Sequence, residues 1–177
     1  MSKPTFATVW LDGCSGCHMS LLDTDERLIT LLEQADLVYS PLVDAKVFPE
    51  MVDITLVEGA VSSEEDFAKI RKVRAHTRVL VALGDCAVTA NVPGMRNSFP
   101  LEDVLDRAYR ETVTLHPQVP AEVVPLLLAR ARPIHAMVAV DIFVPGCPPS
   151  ADTIFTVLSE LIAGRVPDVG ALTRFGA

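Results

Sequence analysis

Thr5-Phe6-Ala7-Thr8-Val9-Trp10-Leu11, followed by Asp12-Gly13-Cys14-Ser15-Gly16-Cys17-His18, decides how the rest of this chain is read. The first seven residues are β-branched, aromatic or apolar, and predict a strand short enough to be central in a sheet. Asp12 and Gly13 break it. Helical spacing at Leu21, Leu22, Leu28, Leu31 and Leu32 then predicts helix from His18 to Ala35, with a break marked by the acidic residues from Asp23 to Glu26. Cys14 and Cys17 fall in the loop between strand and helix, where two thiols two residues apart can point into one small volume and hold one metal centre.

Only two other cysteines exist, Cys86 in Gly84-Asp85-Cys86-Ala87 and Cys147 in Pro145-Gly146-Cys147-Pro148-Pro149, and each also follows a strand-like run. Leu37–Tyr39 reads as a weak second strand cut by Pro41, residues 43–51 as a loop, and Asp53–Val57 as a strand. Ser62 and Ser63 before Glu64, Glu65 and Asp66 form a capping box, which opens a helix over Glu64–Ala75 with Arg71, Lys72 and Arg74 at its far end. Arg78–Leu83 is the next strand. Residues 87–100 are irregular by composition, Leu101–Ala108 a short helix, Ala121–Ala131 a further helical segment, Met137–Val144 the last strand and Ser150–Ala163 the last helix, stopped by Gly164 and Pro167. Strands alternating with helices imply an α/β fold with a mostly parallel sheet covered on both faces. Residues 1–164 are expected to form one domain, with 165–177 as a tail. In such sheets the loops at the carboxyl ends of the strands form the ligand crevice. All four cysteines lie in loops of that class, so the topology is expected to bring distant thiols together.

Composition narrows the function classes. Half of the 177 residues are apolar and mean hydropathy is +0.35, yet the longest apolar stretches are strand-sized, which excludes a transmembrane helix. The excess fits a partner-covered face or a thick buried sheet. A net charge of −8 argues against nucleic-acid binding. Met1-Ser2-Lys3-Pro4-Thr5 runs into the first strand with no export signal, so a cytoplasmic location is expected. In that compartment four cysteines read as metal ligands or redox groups before disulfides.

Several readings compete for the four thiols. Cysteines acting as small core hydrophobes would scatter through strands and helices, whereas these all stand at strand ends beside Gly or Pro. A thioredoxin-like dithiol would need only Cys14 and Cys17. A structural zinc site suits four thiolates, but zinc ribbons usually belong to small folds that cannot stand without metal. Four thiolates also fit a [4Fe-4S] cluster, with Gly13, Gly16, Gly84 and Gly146 letting backbone amides approach an anionic group.

The four motifs Gly13-Cys14-Ser15-Gly16-Cys17, Val57-Glu58-Gly59-Ala60-Val61, Gly84-Asp85-Cys86-Ala87 and Pro145-Gly146-Cys147-Pro148-Pro149, in that order, resemble the small subunit of [NiFe] hydrogenases over Thr5 to Ala163. The resemblance implies that Cys14, Cys17, Cys86 and Cys147 bind a proximal [4Fe-4S] cluster, which takes electrons from a nickel-iron large subunit. Respiratory small subunits carry a twin-arginine leader and a cysteine-rich C-terminal region for two more clusters. This sequence has neither and is similar to the single-cluster, cytoplasmic, NAD(P)-linked type, whose electrons pass to a diaphorase module with iron-sulfur subunits and flavin. The cluster-bearing subunit of complex I is the alternative within the superfamily. Its first motif has two adjacent cysteines, whereas Ser15 and Gly16 separate Cys14 from Cys17 here. The sheet also resembles flavodoxin, but no phosphate loop of Gly, Ser and Thr supports an FMN. A non-redox structural metal-binding protein is the alternative outside the superfamily.

Among the remaining residues, Glu58 is read either as an acid facing the large subunit or as a capping or surface carboxylate. Asp85 is read as orienting its loop, and His18 as a hydrogen-bond partner. His76, His116 and His135 are expected to be structural or exposed, and Trp10 to lie in the core. No second C-x-x-C pair is present to bind nickel, so the chain is expected to contribute electron transfer and to be inactive alone.

Overall fold

The computed structural model describes residues 3–173; Met1, Ser2 and residues 174–177 of the expected tail lie outside the described residues. Seven strands are present among the described residues: β1 (Thr5–Trp10), β2 (Asp36–Tyr39), β3 (Val52–Glu58), β4 (Val61–Ser63), β5 (Thr77–Leu83), β6 (Leu127–Arg132) and β7 (Ile142–Val144). Five of them form a sheet in the order β2-β1-β3-β5-β7, with every neighbouring pair parallel. This is the doubly wound order of flavodoxin-like sheets, in which the strand order reverses between β1 and β3. The α/β, flavodoxin-like expectation therefore holds.

Side-chain alternation along the strands builds two cores. Phe6, Ile54, Leu56, Val81 and Leu83 face one side, where they meet Cys17 and Leu21 of α1 (Gly16–Leu22), Leu31 of α2 (Arg27–Gln34) and Ile154, Val157 and Leu158 of α7 (Ala151–Ile162). Ala7, Val9, Val57, Leu80 and Ala82 face the other, against Ile70 and Val73 of α3 (Glu64–Ala75). The break expected between Asp23 and Glu26 separates α1 from α2. Helix α3 begins and ends where its caps predict, with Ser63 Oγ accepting from Asp66 N and Asp66 returning the bond.

Four expectations are corrected. Residues 87–100 are not irregular throughout: α4 (Asp85–Thr89), α5 (Asn91–Gly94) and a 3₁₀ turn (Met95–Ser98) precede α6 (Leu101–Asp106). The segment Ala121–Ala131 is not helical; Leu127–Arg132 pairs antiparallel with β4. Leu, Ala and Arg favour helix locally, but Pro120, Pro125 and Pro133 leave too short a run for helix propagation. Asn97 instead clamps the strand, donating Nδ2 to Ala131 O and accepting from Ala131 N, both at 2.8 Å. The last strand is shorter than Met137–Val144 because Asp141 takes Leu80 N with its carboxylate at 2.7 Å, so regular pairing starts only at Ile142. Trp10 is 45% exposed rather than core; it is the last residue of β1, and its indole donates to Gly13 O. Beyond Gly164, α8 (Val169–Leu172) lies against α7, where Leu172 O accepts from Thr153 Oγ1.

Candidate functional site

Four adjacent strands of the sheet end at one place, and each delivers a residue there. The loop after β1 carries Cys14, and the second position of α1 carries Cys17. Glu58 closes β3, Cys86 follows β5 in the first turn of α4, and Cys147 follows β7. All four thiols are free; Cys17 is buried, Cys86 half-buried, and Cys14 and Cys147 exposed. They border one cavity of about 70 Å³, together with Gly16, Glu58, Asp85, Gly146 and Pro148. Four larger, more open recesses on the described surface contain no cysteine. Two of the four cysteines thus sit in helical first turns rather than in the loops expected for them, because α1 begins at Gly16 and α4 at Asp85, each one residue ahead of its cysteine.

Backbone conformation sets this geometry. Gly84 stands at φ +82°, where a side chain is strained, and a Cβ there would come within 2.3 Å of Cys17 Sγ. The β5 turn thus passes directly against the Cys17 thiol, a close approach open only to glycine. Gly146 at φ +138° turns the last loop, and the Cys147–Pro148 peptide is cis. Asp85 joins two of the cysteine loops, accepting from Gly146 N at 2.7 Å with Oδ1 while its own N–H donates to Gly146 O at 2.8 Å. Its expected orienting role is visible in that pair of bonds. Ser20 ties α1 to the same loop by donating to Pro149 O at 2.6 Å.

Electrostatics couple the thiols. Burial pushes the Cys17 thiol well up, and the carboxylate of Glu58 and then the other three sulfurs push it further. Burial also raises Cys86, with a backbone hydrogen bond from Val92 acting in the opposite direction. A cationic group among these sulfurs is what would stabilise them as thiolates.

Glu58 is 2% exposed, which excludes the surface reading, and its partner is within the chain. Its Oε2 accepts from His18 N at 2.9 Å and lies 2.5 Å from His18 Nδ1. The imidazole continues through Nε2 to Thr8 Oγ1 at 3.0 Å, and Thr8 to Ser40 Oγ at 2.7 Å, so a buried polar chain runs from the cavity wall under the sheet edge. Sequence reasoning left Thr8, Ser20 and Ser40 unnoticed. No short-range signal marks them, because their partners are far away in the chain.

Residues 14–161 match the family model described as NADH ubiquinone oxidoreductase, 20 Kd subunit. The chain belongs to this family. Within it, the chain is 44% identical over 172 residues to the delta subunit of the NAD-reducing hydrogenase HoxS of Cupriavidus necator, covering 94% of this chain and 82% of that one. It is 36% identical over 169 residues to a subunit of the F420-non-reducing hydrogenase of Methanothermobacter marburgensis, covering 92% of this chain and 54% of the relative. The chain therefore spans about half the length of that methanogen protein. A crystal structure of an NAD+-reducing [NiFe]-hydrogenase in its H2-reduced state contains a chain that superposes with a TM-score of 0.91 at 38% identity, covering 98% of this chain and 99% of that one. The family resemblance seen in the four motifs is thereby shown. The hydrogenase branch, rather than the complex I branch, supplies these relatives.

Proposed function

We propose that this chain is the electron-transfer small subunit of a cytoplasmic, NAD(P)-linked [NiFe] hydrogenase, and that Cys14, Cys17, Cys86 and Cys147 together hold one [4Fe-4S] cluster. The observation that carries the reading is the meeting of all four thiols at one cavity from three distant segments. A ring of sulfurs around a volume suits a polyatomic cluster with one thiolate at each corner, whereas zinc draws four sulfurs to about 2.3 Å of one point. Glycine at positions 16 and 84 keeps side chains off the sulfurs of Cys14 and Cys17, against which a Cβ at either position would press.

The bound cluster would supply one-electron transfer. This chain's residues do the rest: the four thiolates hold the centre, Asp85 and Ser20 fix the loops that carry them, and Glu58 with His18 closes the inner wall. Electrons enter from a nickel-iron large subunit and leave to an iron-sulfur and flavin diaphorase that reduces NAD(P). No helix of the described residues is long and apolar enough to cross a membrane. The apolar side chains left exposed, such as Met19, Val92, Met95 and Phe99, are the material of a partner interface. Hydrogen-driven NAD(P) reduction by the complex carrying Cys147→Ala tests the proposal. Loss of that activity with retained hydrogen-driven reduction of an artificial acceptor at the large subunit supports it, and unaltered NAD(P) reduction overturns it.

A further inference from the structure

One side-chain hydrogen bond to a cysteine sulfur is present among the described residues: Asn91 Nδ2 lies 3.5 Å from Cys147 Sγ. Resting on the reading of Cys147 as a cluster ligand, we propose that Asn91 raises the reduction potential of the centre by donating to that ligand sulfur.

The chain spends backbone strain to place this amide. Ala90, the residue before it, is 3% exposed and adopts φ +65°, ψ 0°, a left-handed conformation that alanine rarely takes. At this one residue α4 ends, with Ala90 N donating to Cys86 O at 3.0 Å, and α5 begins, with Gly94 N donating to Ala90 O at 2.6 Å. The reversal brings Asn91, in the chain that has just delivered Cys86, against Cys147, which belongs to a different loop. Asn91 N is held by Thr89 Oγ1 at 3.4 Å, and that hydroxyl is itself anchored on Asp85 O at 2.8 Å. The amide therefore stands on the same short scaffold as the Asp85 clamp, not on a free loop. Strain persists in a fold where its surroundings over-determine it, and such positions concentrate at functional sites.

The consequence follows from charge. The couple concerned gains one electron on reduction, with no bond made or broken and no proton exchanged, and the ligand sulfurs share the added negative charge. An N–H donor aimed at such a sulfur is stabilised more by the reduced state than by the oxidised one, so it moves the potential upward. Asn91 acts through Cys147 and is a positioning residue for electron transfer rather than a catalytic one.

The test is an anaerobic EPR-monitored redox titration of the assembled complex, reading the signal that the Cys147→Ala complex lacks. Asn91→Leu keeps the side chain's shape and removes the donor. With iron and sulfide content unchanged, its midpoint is expected to fall so that the ratio of reduced to oxidised centre at a fixed potential drops by about tenfold, equivalent to about 59 mV for a one-electron couple. Asn91→Asp, isosteric but presenting an acceptor, gives the same direction and reports on its own if the leucine variant fails to assemble. Asn91→Gln, which keeps an amide, recovers part of the shift. A normal signal with an unshifted midpoint in Asn91→Leu, or a midpoint at or above the unaltered value in Asn91→Asp, overturns the inference alone. If every iron-sulfur signal of the unaltered complex persists in Cys147→Ala, the cluster reading is overturned as well.

Discussion

Replacing Gly84 by alanine tests whether the approach of the β5 turn to the Cys17 thiol is as tight as the geometry states. The new Cβ would lie 2.3 Å from Cys17 Sγ, closer than side-chain carbons come to any heavy atom, and 3.4 Å from Gly146 O. Cys17 cannot retreat freely, because it is 8% exposed and packed among Leu21, Leu83 and Val144 in the core under α1. Two penalties add. A non-glycine residue near φ +82°, ψ 161° costs about 1–3 kcal/mol. Forcing a methyl into a packed site costs about 1–3 kcal/mol more. At a combined ~4 kcal/mol, a chain of this length loses about 8–16 °C in Tm. Gly164→Ala is the matched control: its φ is +73°, but a Cβ there meets nothing within 4 Å, so only the backbone penalty of about 1–2 kcal/mol applies. Thermal melts of both variants, with iron content measured alongside, separate the two contributions. Equal Tm losses in the two proteins, with full iron in Gly84→Ala, would refute the collision and the tight cavity built on it.

Other outcomes follow from single contacts. Asp85→Ala leaves the Gly146 amide without its acceptor, costing about 1–3 kcal/mol, and speeds iron release to a chelator; Asp85→Asn keeps an oxygen and restores most of the loss. Burial raises the Asp141 carboxyl, but the Leu80 amide and the Arg74 guanidinium outweigh it and hold the pKa below the ordinary 3.8. Because the folded value is the lower one, the stabilisation is fully present above that ordinary value and is lost as pH falls through the folded pKa. Acid unfolding curves of Asp141→Asn should therefore differ from the unaltered protein at neutral pH and converge with it once pH has fallen through the folded pKa; a constant gap down to the lowest pH would contradict this.

Much of this fold was legible because local and global signals agree. Helix α3 has a capping box, acids in its first turn, bases in its last and apolar residues on one face, and it occupies Glu64–Ala75 as its pattern predicts. The placement of every cysteine after a strand was enough to anticipate their meeting once the strands were taken as parallel. The strand at Leu127–Arg132 was hidden because its residues favour helix and its pairing with Val61–Ser63 is long-range. Trp10 was misread because a strand's last residue can emerge beyond the cover of its helices. Asn91, in a stretch rich in glycine, proline and asparagine, carries no periodic signal; its role comes from the reversal at Ala90 and from a cysteine in another loop.

Iron, acid-labile sulfide and zinc, quantified together on the anaerobically purified complex and compared with the same complex carrying Cys147→Ala, test the central claim most directly. A difference of about four iron and four sulfide per small subunit, with an EPR signal that appears on reduction and is missing from the variant, is the predicted result. A difference of one zinc with no sulfide, or no difference at all, would contradict it.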